Sequence, residues 1–193
     1  MVNKSQKKKP GKIYQLKISL QYCTPPIWRR VTVPNDITLP NLHRIIQAVM
    51  GWMGGHLHEF GTGSVSYGEI DPNWPEEDEY LRDEKSVKLN ALLKKEKQKI
   101  RYIYDFGDDW QHVIELEKIL STDTASSTPK CITGRRACPP EDCGGIDGYY
   151  EILDIINDPD HPEREETLEW LGEEDFDPAF FDVNEINSRL SDS

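Results

Sequence analysis

His56 and His58 stand two residues apart in the segment HLHEF. On a strand, that spacing turns both imidazoles to one face, about 6 to 7 Å apart at Cα. Two neutral ring nitrogens can then meet one metal ion. His112 offers a third nitrogen and Cys138 a thiolate, with Cys131 or Cys143 as alternatives for the sulfur. A mixed His/Cys set of this kind suits zinc before other metals. Two features weigh against it. The cysteines are separated by six and four residues rather than the two of a C-x₂-C pair. His112 also falls in phase with Trp110 and Ile114, as a core histidine would.

A second group is acidic. Asp105, Asp108 and Asp109 crowd one short connection, and Glu141 and Asp142 lie in a later loop. Paired carboxylates can exchange protons or hold Mg²⁺ or Ca²⁺, although the spacing is not that of an EF-hand. Asp-rich turns are also ordinary. The carboxylate accepts N–H bonds from the residues that follow it, and Gly107 is expected to supply a positive-φ position. Cys138 or Cys143 would become a nucleophile only beside a group that lowers its pKa, and Arg135 and Arg136 are near in sequence. No serine nucleophile elbow, P-loop or G-x-G-x-x-G is present. Trp74, Tyr80, Trp110, Pro139 and Pro140 supply the aromatic and proline contacts that interfaces use.

The elements that must position these groups read as follows. Residues 13–23 alternate, with Tyr14, Leu16, Ile18, Leu20 and Tyr22 on one side, and predict a half-buried strand. Residues 27–33 predict a second, placing Ile27, Arg29, Val31 and Val33 together. Thr38 as N-cap and Pro40 in the first turn open a helix whose apolar stripe is Leu42, Ile45, Ile46, Val49 and Met50. Gly51, Gly54 and Gly55 end it. Residues 56–67 predict two short strands about a Gly turn, residues 68–86 a charged surface loop, and residues 89–94 a short helix. Residues 99–104 and 110–120 form the clearest hairpin, joined by 105–109. A flexible linker is expected at 121–130 and a Gly-, Pro- and Cys-rich loop at 131–148. Helices follow over 149–157, 162–171 and 182–190. Strands and helices in this order predict an α+β fold, with a mainly antiparallel sheet packed against helices and short helices at the C-terminal end.

The segments YDFGDDWQH (104–112), CPPEDCGG (138–145) and GYY (148–150), preceded by PPIWRR (25–30) and HLHEF (56–60), occur in an order that resembles one known family. It is the plasmid pRiA ORF-three-like family, named after the third open reading frame of a bacterial Ri plasmid. The resemblance runs from about residue 13 to the carboxyl end. It implies that these motifs belong together and carries no catalytic assignment, since the members are mostly uncharacterised. The label of resolvase attached to some members has no serine-recombinase pattern here to support it.

Composition sets the outer limits. The formal net charge is -12. Residues 141–193 carry eighteen Asp or Glu against Arg164 and Arg189, whereas the first twelve residues carry five Lys and no acid. That balance disfavours nucleic acid and anionic lipid, and fits a basic protein partner. No apolar run is long enough for a membrane span. Four cysteines in 193 residues are no disulfide framework, so a cytoplasmic location is expected. The expected organisation is a basic tail over 1–12 and one domain over 13–193, whose part from 146 on is acidic and helical. The expected function is a non-catalytic binding or accessory module with a protein partner and no cofactor. Its working face is the turn with Asp105, Gly107, Asp108, Asp109 and Trp110 and the loop with Pro139, Pro140, Glu141, Asp142 and Gly144. The alternative is a zinc-dependent hydrolase using His56, His58, His112 and Cys138.

Overall fold

The computed structural model describes residues 11–70, 80–122, 128–172 and 176–192. Trp74, most of the expected tail, and the middle of the expected linker and charged loop lie outside these residues. The elements in chain order are β1 (Gly11–Leu20), β2 (Trp28–Pro34), α1 (Leu39–Met50), β3 (His58–Thr62), β4 (Val65–Gly68), β5 (Leu81–Asp83), α2 (Leu89–Leu92), β6 (Lys99–Tyr104), β7 (Trp110–Thr122), β8 (Lys130–Arg135), α3 (Gly145–Asn157), α4 (Arg164–Leu171) and α5 (Val183–Asp192). The strands form one sheet in the order β5-β4-β3-β6-β7-β1-β2-β8. Every described pair is antiparallel except β4 with β5. The fold is α+β.

Alternation along the strands builds the core. Tyr14, Leu16, Ile18 and Leu20 of β1, Val31 and Val33 of β2, and Trp110, Ile114 and Leu116 of β7 are all buried on one face. The stripe of α1 covers that face through Leu42, Ile45, Ile46 and Val49, and Ile186 and Leu190 of α5 join the same core. Thr38 occupies the N-cap of α1 without a side-chain cap bond, so Pro40 and the tertiary contacts hold that end. Gly51 closes the helix at φ 88, a left-handed turn that favours glycine. Arg29 shares the inward face of β2 and is 3% exposed. Its guanidinium is held by the carbonyls of Val49, Trp28 and Arg135.

Three local expectations are corrected. Residues 130–135 form edge strand β8, paired with β2. The segment KCITGR reads as loop because Gly134 interrupts its alternation, yet Gly134 is packed so closely by Phe181, Trp28 and Arg29 that a Cβ would clash there. With β7 running to Thr122, both ends of the expected linker are strand. Helix α3 starts at Gly145 rather than 149, and Ile155 joins Tyr149, Ile152 and Ile156 on its buried side.

Candidate functional site

The turn between β6 and β7 is built on Asp105. Its Oδ1 accepts the Gly107 N–H at 2.9 Å, and its N–H donates to the Leu57 carbonyl. The positive φ expected at Gly107 falls instead on Asp105 (φ 56) and Asp109 (φ 53). Aspartate tolerates the left-handed region better than most residues, so the turn needs no glycine there. Asp109 accepts from the Gln111 amide at 2.7 Å. Trp110, which opens β7, is fully buried.

The loop 139–145 packs directly onto this turn. Gly145 lies so close to the Asp108 carbonyl that a Cβ would collide with it, which explains a glycine at that place. Gly144 caps α3 at φ 87. Glu141 receives the Tyr104 hydroxyl at 2.5 Å and the Met53 N–H at 2.7 Å. Burial, then the adjacent Glu141 carboxylate, raises the Tyr104 pKa. Pro139 is buried and its carbonyl accepts the Trp52 indole N–H at 2.9 Å; Pro140 is half-buried beside it. The two segments singled out from sequence are therefore one contiguous surface.

His56 lies between them. Its Nδ1 is 3.7 Å from Asp105 Oδ2 and its Nε2 is 3.1 Å from Asp142 Oδ1. Among the described residues, these three form the group whose ligand atoms all lie within 4.8 Å of one another. No Lys or Arg forms an ion pair with either carboxylate among the described residues.

The other expected metal ligands are not gathered with His56. His56 sits in a bend before β3, and His58 begins the strand, so the two do not share a strand face. His58 Nε2 pairs with the buried carboxylate of Glu84 at 3.1 Å. His43, unremarked in the sequence, stacks on His58 with ring centres 3.7 Å apart, and its Nδ1 is 2.8 Å from the Tyr102 hydroxyl. Burial first, and then the neighbouring His58 and Arg44, lower the His43 pKa to about 3. His112 is a core residue whose Nδ1–H donates to the Trp110 carbonyl. Burial takes its pKa to about 4, against the opposing pull of the Trp110 and Tyr102 main chain.

Cys138 lies 3.0 Å from Arg29 Nη2 and 3.2 Å from Met50 Sδ. All four thiols are free, and burial raises every one, Cys23 and Cys143 to about 12. That is the opposite of what an activated thiolate nucleophile requires.

Beside the loop lies a cleft of about 710 Å³. The end of α1, Trp52 and residues 137–141 form one side; Trp170, Leu171 and residues between 176 and 189 form the other. Trp170 and Phe180 are each 52% exposed. Phe176 and Phe181 are half-buried, with the Phe181 ring 5.2 Å from Arg29 Cζ. Sequence reasoning missed this wall because Trp170 sits in α4, a short helix with no buried face, while Phe176, Phe180 and Phe181 precede α5, where no period marks a face. Trp52 was equally silent. It follows the glycine that ends α1, yet its ring packs against Tyr104, Trp110 and His112.

No helix among the described residues is long and apolar enough to cross a membrane. Comparison with known proteins returns the plasmid pRiA4b ORF-3-like protein family, matched over residues 12–185. An uncharacterized protein of Sinorhizobium fredii, y4hQ, is 36% identical over 180 residues, covering 93% of this chain and 91% of its own. The crystal structure of a protein of unknown function, MM3350 from Methanosarcina mazei Go1, is similar with a TM-score of 0.79 and 41% identity, covering 91% of this chain and 96% of that one.

Proposed function

The chain belongs to the plasmid pRiA4b ORF-3-like family, and we propose that it works as a non-catalytic binding module that takes a protein partner in the cleft beside the 139–145 loop. One observation carries this reading: a cleft of about 710 Å³ presents two half-exposed aromatic side chains, Trp170 and Phe180. Large aromatic anchors in a partly desolvated hollow are the groups that dominate binding energy at interfaces. Two of the groups that sequence marks for chemistry support the same reading, since His112 and Cys138 are engaged with main-chain and core atoms. We place this activity in the cytoplasm, where four free thiols would persist.

The test is to pan a random-peptide phage library against the immobilised protein and measure synthetic versions of the enriched sequences on wild type, Trp170→Ala and Phe180→Ala. The expected result is enriched peptides that lose about tenfold or more in affinity on either variant. No enrichment, or peptides indifferent to both changes, overturns it.

His56, Asp105 and Asp142 favour a second reading, a divalent metal centre. An imidazole and two carboxylates within 4.8 Å suit zinc or manganese, and an ion with open positions there would activate water for hydrolysis. Stoichiometric metal in protein purified without added metal, lost in His56→Ala, supports this reading; metal-free protein removes it.

A further inference from the structure

We propose that the partner segment is cationic, carrying Lys or Arg interspersed with large apolar side chains; this rests on the cleft being the binding site. The charge that the cleft turns outward is negative. Glu141, Asp177, Asp182 and Glu185 line it, against Arg29 and Arg189. Arg29 is no counterweight at the surface. It is 3% exposed, and its N–H groups go to three carbonyls and the Cys138 sulfur. Arg189 is drawn to Glu185 at 3.6 Å.

Asp177, Asp182 and Glu141 are held by N–H and O–H donors rather than by a described Lys or Arg. Asp177 accepts the Ala179 N–H through Oδ1, and Asp182 accepts the N–H groups of Asn184 and Glu185 through Oδ1. The second oxygen of each has no bond in this structure to a described residue. Glu141 is held by two neutral donors, the Tyr104 hydroxyl and the Met53 amide. Carboxylates around aromatic faces are the chemistry that recognises an ammonium or guanidinium group, by charge-assisted hydrogen bonds and by cation–π attraction. The apolar anchors of the segment would meet Trp170 and Phe180. A net charge of -12 would steer such a segment inward over longer range.

Three synthetic peptides test this. They share the same Leu and Phe positions and differ in carrying Lys/Arg, Gln or Glu between them. Affinities are measured by fluorescence anisotropy on wild type, on Asp177→Asn/Glu185→Gln, on Phe180→Ala, and on Glu165→Gln/Glu166→Gln. The last removes two charges from the exposed first turn of α4, outside the cleft.

The expected result is cationic-peptide binding at least tenfold tighter than that of its Glu counterpart. The preference should shrink severalfold in the cleft double variant and persist in the α4 control. If the Glu peptide binds as well or better, or if both double variants lose the preference equally, the cationic inference is wrong. Should Phe180→Ala still weaken whichever peptide binds, the binding-module reading survives that failure. If no peptide depends on Phe180, both fall.

Discussion

The indole N–H of Trp52 donates to the carbonyl of Pro139 across 2.9 Å. This bond ties the end of α1 to the loop that borders the cleft and packs on the β6–β7 turn. Trp52 is 6% exposed, so the Pro139 carbonyl would lose its partner in a dry place. Trp52→Phe keeps an aromatic ring and removes the donor. It should cost about 1 to 3 kcal/mol, measured by urea denaturation. An unchanged midpoint would mean that the loop is held by its other contacts alone.

Trp110 is fully buried at the start of β7, with its ring 5.6 Å from that of Trp52. Trp110→Ala should destabilise by about 3 to 5 kcal/mol, as large-to-small changes in a closed core do. A loss below about 1 kcal/mol would contradict the burial described for this strand.

His112 makes stability depend on acid. The folded protein takes up this proton near pH 4, whereas the unfolded chain does so near the ordinary 6.5. The unfolded state therefore binds more protons between those values. The contribution is fully present above about pH 6.5, is lost as pH falls toward 4, and levels off below. Its size is about 3 kcal/mol by linkage. His43, lowered to about 3, extends the same loss further into acid. A His112→Gln variant should show a shallower loss of stability between pH 6.5 and 4. An acid limb identical to that of wild type would rule out His112 as its source.

The joint at His56 yields a metal prediction. If the triad holds an ion, added zinc should raise the melting temperature of wild type and leave His56→Ala unmoved, because a ligand bound to the native state stabilises by mass action. Equal responses in both proteins would place the metal effect elsewhere.

Much of this was legible in the chain because strand alternation and the α1 stripe are strong signals. Tyr14 to Leu20, Val31 with Val33, and Trp110 to Leu116 all bury the face their pattern predicts. The turn at Asp105 and the loop at Glu141 were visible as dense Asp, Pro and Gly motifs, and they form one surface. Their joining through His56 was not visible, because that contact spans 49 residues on one side and 86 on the other, read from the positions of His56, Asp105 and Asp142. A His-x-His pair shares a face only if β3 reaches His56; the strand starts at His58, and the two rings take different partners. Strand β8 and the aromatic wall of the cleft depend on pairing and packing between distant segments, which local pattern does not carry.

The most direct test of the central claim is a titration of ¹⁵N-labelled protein with the cationic peptide, followed through the indole N–H signals. Trp170 borders the cleft, whereas Trp28 lies beneath Lys17 and Arg30, whose charged groups are 5.1 and 5.0 Å from its ring. Binding in the cleft should give saturable movement of the Trp170 signal, with the Trp28 signal still, and loss of the response in Phe180→Ala. Movement of Trp28 with Trp170 unmoved, or no movement at any indole, would contradict it.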